Sequence, residues 1–149
     1  MQDRYETFTA LIDNLKKNIR KIKAAEMQNY ELKGSHISFI YYLYTSNSTM
    51  TSKELAEVCN EDKASVSRSI EYLEEQGYLV CEKQNHKRYR APIVLTQKGI
   101  DAAKVIVNKV EAVVARAGEN ISDENRAVMY RVLMTINDNL QRICDGYGE

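Results

Sequence analysis

Three stretches of this chain place apolar residues at alternating steps of three and four, and a single proline interrupts the 149 residues. The first stretch runs through Tyr5, Phe8, Ile12, Leu15, Ile19 and Ile22. The second runs through Ile100, Ala103, Val107, Val110, Val114 and Ala117, and the third through Met129, Leu133, Ile136, Leu140 and Ile143. Such spacing is one apolar stripe along a helix, close to a heptad seam. With one Pro and only six Gly, long uninterrupted helices are expected. Lys16, Lys17, Arg20, Lys21 and Lys23 occupy the rest of the first helix. It is therefore too polar elsewhere to be a core helix, and its stripe wants a partner. Three such seams are more apolar surface than one small domain needs to cover itself.

Between the first and second seams the signals are shorter. The run ISFIYYLY (Ile37 to Tyr44), followed by the turn-forming TSNST, reads as a short buried helix. TSKELAEVC pairs Thr51 with Glu54 as a capping box, with Leu55, Ala56 and Val58 as the apolar face and an end near Asn60. Asp62 is a good N-cap for the next helix, which sets Val66, Ile70 and Leu73 on one face and ends near Gly77. YLVCEK and RAPIVLT are rich in strand formers and read as a β-hairpin, with the Pro92 strand at an edge. Thr96 caps the next helix, GENISDEN breaks it, and Ser122 or Asp123 caps the last. Helix, helix, hairpin in the middle of the chain is the order of a winged helix-turn-helix.

The chain is neutral, with 21 basic and 21 acidic residues, yet Lys83, Lys87, Arg88, Arg90 and Lys98 stand against one acid, Glu82, between positions 82 and 98. A hairpin with a cationic tip, placed after a helix whose first half is small, hydroxylated and basic, suits DNA. The helix enters the major groove, the hairpin reaches the flanking backbone or minor groove, and phosphate contacts supply affinity. The expected contact set is Thr51, Lys63, Ser65, Ser67 and Arg68 from the helices and His86, Lys87, Arg88 and Arg90 from the wing. Arg68 is the candidate for a bidentate guanine contact. Its plainer reading is a solvated charge or an ion pair with Glu71 or Glu75. For the wing cations the plainer reading is a solvated loop. His86 would add a mild pH dependence if it touches phosphate. The acidic second half of the same helix, Glu71, Glu74 and Glu75, would face away from phosphate.

Other classes find less support. There is no Ser/His/Asp or Cys/His arrangement, no phosphate-cradling Gly loop and no plausible carboxylate pair, so an enzyme is not expected, nor a cofactor. His36 and His86 are too few and too far from carboxylates for a metal site. Cys59, Cys81 and Cys144 lack CxxC spacing and read as free thiols rather than a disulfide framework, with a redox role as the alternative. No run of 18 apolar residues or secretory signal is visible, so a cytoplasmic protein with no membrane partner is expected. Tyr30, His36, Tyr41 and Tyr44, with Tyr42, could line a cleft for a small aromatic or lipophilic effector, although packing of the second helix explains the same rings. A winged helix that serves only as a protein–protein module would instead present an apolar or acidic face on its second helix.

From Leu32 to Gly99 the sequence resembles the MarR family of bacterial transcription regulators. ELA, the S-V-S-R turn, LEEQGYL and LTQKG fall in the family's order and spacing, and the flanking helices complete its layout. The resemblance implies a mainly α (α+β) fold: a winged helix-turn-helix DNA-binding region over residues 31–99, between dimerisation helices over residues 1–30 and 100–149. It implies a homodimer in which the first, fifth and sixth helices interlock, which would account for the three seams. It also implies a palindromic double-stranded DNA operator, and commonly repression relieved by a small ligand bound between the two regions. The family's wing Asp is absent here, with Asn85, His86, Lys87 and Arg88 in that region, so both Arg88 and Arg90 stand as candidates for the minor-groove contact. The first helix has no Cys, so the sensing chemistry of the organic-hydroperoxide regulators is not carried over.

Overall fold

The computed structural model of the chain describes residues 4–82 and 91–148. The elements are α1 (Arg4–Glu26), a 3₁₀ turn (Gln28–Tyr30), α2 (Gly34–Thr45), α3 (Ser52–Cys59), α4 (Lys63–Glu75), β1 (Leu79–Cys81), β2 (Ile93–Leu95), α5 (Gln97–Ala117) and α6 (Asp123–Gly146). The order expected from the sequence is the order found. The chain divides into two compact units, residues 1–110 and residues 111–149.

In the first unit the core is built from Met27, Leu32, Ile37, Phe39, Ile40, Leu55, Val66, Ile70, Leu73, Leu79, Ile93 and Ile106, all buried. Burying each large side chain of this kind contributes ~1.5–3 kcal/mol. The capping box of α3 forms as its sequence demands: the Thr51 N–H donates to Glu54 Oε2 at 2.8 Å and the Glu54 N–H to Thr51 Oγ1 at 3.3 Å. Asn60 ends α3 in the left-handed conformation (φ 51°). Asp62 caps α4 by accepting from the Ser65 N–H at 2.8 Å. Val58 departs from expectation. It is 47% exposed, because the core-facing row of α3 is Leu55 and its i+4 neighbour Cys59.

β1 and β2 pair antiparallel, with Leu79 opposite Leu95 and Cys81 opposite Ile93. The Pro92 strand is not a simple edge. The Ile93 N–H donates to the Met50 carbonyl at 2.9 Å on the side away from β1, forming an isolated bridge. Pro92 itself lies just before the strand and meets β1 through its carbonyl, which accepts from the Glu82 N–H at 3.0 Å. Its missing N–H therefore costs no bond on the Met50 side.

The start of α5 is locked to the end of α4. Gly77 turns the chain at φ 78°. The Thr96 hydroxyl donates to the Gly77 carbonyl and accepts from the Gly99 N–H at 3.2 Å, so it caps α5 and ties the turn at once. A side chain at Gly99 would collide with the Tyr78 carbonyl, which is the physical reason for glycine in LTQKG. Ala102, Ala103 and Ile106 carry α5 into the core of this unit.

The second unit holds the end of α5 and α6, capped by Ser122, which accepts from the Asn125 N–H at 3.2 Å. No residue of α6 is buried. Its stripe of Met129, Leu133, Leu140 and Ile143 is exposed, and Tyr130 and Met134 widen it. In the first unit, Leu15, Ile19 and Ile22 of α1 are exposed in the same way. Among the described residues no helix is long and apolar enough to cross a membrane.

Candidate nucleic-acid interface

Helix α4 is the second helix of the helix-turn-helix, and its two faces differ in what they touch. Val66, Ser69, Ile70 and Leu73 are buried and fix its orientation. Lys63, Ala64, Ser67 and Arg68 are exposed on the other side, and Ser65 is half-buried. Neither Ser67 nor Arg68 makes a hydrogen bond or ion pair among the described residues, so the expected alternative for Arg68, a pair with Glu71 or Glu75, does not form. An unpaired guanidinium on a rigid, solvent-facing helix keeps all its donors available, and its fork matches guanine O6 and N7 or a phosphate. Thr51 is half-buried and its oxygen is engaged in the α3 cap. Any DNA contact it makes is thus secondary to holding the first turn of α3.

The wing cations divide. His86, Lys87, Arg88 and Arg90 lie outside the described residues. Lys98 counts toward the local positive charge in the sequence, but its Nζ donates to the Gln76 carbonyl at 2.6 Å and sits 4.3 Å from the Tyr78 ring centroid. It thus neutralises the C-terminal end of α4 rather than standing ready for phosphate. Glu74, read from the sequence only as part of an acidic half-helix, has a positioning role: its Oε2 accepts from the Cys81 N–H at 3.1 Å and holds β1 against α4. A carboxylate one residue before the end of a helix and seven before a strand residue is too common a spacing to have signalled this.

Among the described residues, the four effector candidates do not line a single groove. His36 is 6% exposed, stacks on Tyr72 at 4.6 Å between ring centroids, and accepts the Lys33 N–H at Nδ1 (3.2 Å). It caps and packs α2. Burial, then the nearby Lys33 charge, pushes its pKa below the ordinary 6.5. Tyr41 packs on the core and meets Tyr42 edge-on at 5.5 Å. Tyr30 lines a shallow groove with Tyr78, Lys98, Asp101, Ala102 and Val105. Tyr44 lines a different one, with Leu43, Ser46, Met50 and Ile93 among its neighbours. Among the thiols, burial and Glu61 push Cys59 up to about 11, so it is protonated and unreactive near neutrality. Among the described residues no cluster of His, Cys, Asp and Glu could hold a metal ion.

A helix pair, a β-pair behind it and a polar helix face turned to solvent define a winged helix-turn-helix protein. Over residues 30–88 the chain matches the model of the MarR family. Solved structures share its fold at low sequence identity. A MarR protein from Peptoclostridium difficile superposes with a TM-score of 0.83 at 16% identity, covering 95% of this chain and 92% of that one. Staphylococcus aureus MepR in a DNA complex gives 0.80 at 16% identity, covering 89% and 97%. Staphylococcus aureus MarR in complex with salicylate and kanamycin gives 0.77 at 16% identity, covering 93% and 92%. No curated protein matches the chain in sequence.

Proposed function

We propose that the protein is a DNA-binding transcription regulator that acts as a homodimer on a palindromic operator, represses by occupying it, and is modulated by a small aromatic or lipophilic ligand. The observation that carries the reading is the exposed, unpaired Ser67–Arg68 face of α4, a helix whose opposite face is anchored in the core. The match to the MarR family model over residues 30–88 supports DNA-binding regulation, and so does the likeness of the fold to MepR, whose structure was solved in complex with DNA. The uncovered stripes of α1 and α6 support the dimer, since apolar surface of this extent is otherwise rare on a monomer. A two-fold dimer meets two half-sites about one helical turn, ~10 bp, apart. The salicylate-bound relative supports ligand control. The aromatic grooves around Tyr30 and Tyr44 are separate places where a planar ligand would find ring surface. Residues 1–30 and 100–149 supply the dimerisation helices in this reading, and Lys87, Arg88 and Arg90 the wing's phosphate contacts.

Fluorescence anisotropy of a random duplex at two salt concentrations tests the reading. Saturable binding that weakens steeply with salt is expected, because Lys and Arg release counterions from phosphate. No binding at low salt would replace it with a winged-helix protein–protein module.

A further inference from the structure

Helix α1 is exposed along most of its length and is tied to its unit near its end. From Asp13 to Ile22 every residue is exposed. Lys23 Nζ then donates to Ser38 Oγ at 2.8 Å, and Glu26 pairs with Lys109 at 2.7 Å. The 3₁₀ turn (Gln28–Tyr30) follows, and after it Glu31 is left-handed at φ 55°. Two tyrosines, one on α4 and one just after it, reach back to this junction. The Tyr72 hydroxyl donates to the Glu31 carbonyl at 2.9 Å, and the Tyr78 hydroxyl to the Tyr30 carbonyl at 3.5 Å. Both rings are themselves held. Tyr72 stacks on the buried His36 at 4.6 Å between centroids, and Tyr78 is buried with Lys98 Nζ 4.3 Å from its centroid. The two bonds span 41 and 48 residues, so they join distant elements rather than complete a local turn.

We propose that Tyr72 and Tyr78 are positioning residues whose hydroxyls set the angle between α1 and α4, and thereby the half-site spacing that the protein accepts on DNA. This rests on the dimeric DNA-binding reading above and deepens it. A junction of a few non-helical residues is where a chain absorbs a change of angle. α1 has 23 residues and is therefore ~35 Å long. A rotation of ~5° at the junction shifts its far end by ~3 Å, about the rise of one base pair. In a two-fold dimer built on the α1 stripe, that shift becomes a change in the separation of the two α4 helices. An exposed ion pair such as Glu26–Lys109 contributes little against it. The tyrosine bonds act at the junction itself and join it to the helix that carries Arg68. Because they hold two consecutive carbonyls, they fix rotation there as well as distance.

The test is selection from a random duplex pool with the full chain. Competition titrations follow on the recovered duplex and on duplexes with its half-sites moved one base pair closer or further apart. The wild type is compared with Tyr72→Phe, with the double variant Tyr72→Phe/Tyr78→Phe, and with Ile70→Val. Phenylalanine keeps each ring and removes only the hydroxyl. The wild type is expected to prefer one spacing. Tyr72→Phe should lower that preference on the order of fivefold, the effect one such hydrogen bond supports. The double variant should lower it further, with base preferences inside each half-site unchanged. Ile70→Val trims the buried face of the same helix and has no polar group to offer the junction, so it should lower stability and keep the wild-type spacing preference. If the double variant discriminates among spacings as the wild type does, or if Ile70→Val relaxes them equally, the hydroxyls serve stability alone and the assignment is overturned. If the wild type recovers no inverted repeat, the dimeric reading itself fails, and the assignment with it.

Discussion

Helices α4 and α6 carry nearly the same apolar spacing, yet α4 buries Val66, Ile70 and Leu73 while α6 buries nothing. The difference is one of partners, not of helix propensity. α4 finds α2, α3 and β1 within its own unit, so its stripe is satisfied, while Ser67 and Arg68 on its other face stay exposed. α6 leaves Met129, Leu133, Leu140 and Ile143 exposed. In the function proposed above, a second chain covers this stripe and the exposed stripe of α1. The contrast is what underlies the proposal of α4 for recognition and α6 for assembly.

The sharpest way to break this contrast is to charge the uncovered stripe. Leu140→Asp should convert the dimer to a monomer in sedimentation velocity and weaken DNA binding by on the order of 100-fold or more, because a buried unpaired carboxylate at an interface costs several kcal/mol. An unchanged dimer would mean that α6 is not the assembly surface. The matching change in α4, Leu73→Ala, should instead lower unfolding stability by ~2–5 kcal/mol in urea melts and leave the folded protein dimeric, since it opens a cavity inside one chain.

Between these lies the recognition face. Arg68→Ala should leave both melting and assembly unchanged. It should narrow the gap between selected and random DNA by ~1–3 kcal/mol in competition titrations. Equal losses on both DNAs would make Arg68 a backbone contact. The smallest effect is expected at His36. Its folded pKa lies below 6.5, so the folded state resists protonation while the unfolded chain accepts it. Stability should be full above pH 6.5 and decline as pH falls through the lowered folded value. In His36→Gln, whose amide can still cap α2, thermal melts should show a flatter decline.

The stripes, caps and hairpin were legible because each rests on local chemistry: spacing for the helices, Thr51 with Glu54, Asp62 before α4, and Gly77 after it. The failures share one cause. Periodicity reports that a face is apolar but not what lies opposite, so Val58 was placed inward when Cys59 holds that row. A charge count sees Lys98 but not the Gln76 carbonyl and Tyr78 ring that engage it. A proline marks a missing donor but not the Met50 segment that pairs with the other side of β2. The aromatic residues near α2 read equally as a cleft or as packing, and only the fold places Tyr30 and Tyr44 at separate grooves. In the site itself, the basic and hydroxylated first half of α4 was readable. The bond from the Ser65 hydroxyl to Glu61 Oε2, at 3.4 Å, was not.

In the proposed function α4 reads DNA, and the α1 and α6 stripes pair two chains to do so. Sedimentation of the protein with a duplex recovered from a random pool tests it most directly. Two chains on one duplex are expected, with recovered sequences that carry an inverted repeat with half-sites ~10 bp apart. A single chain per duplex, or recovered sequences without two-fold symmetry, would contradict it.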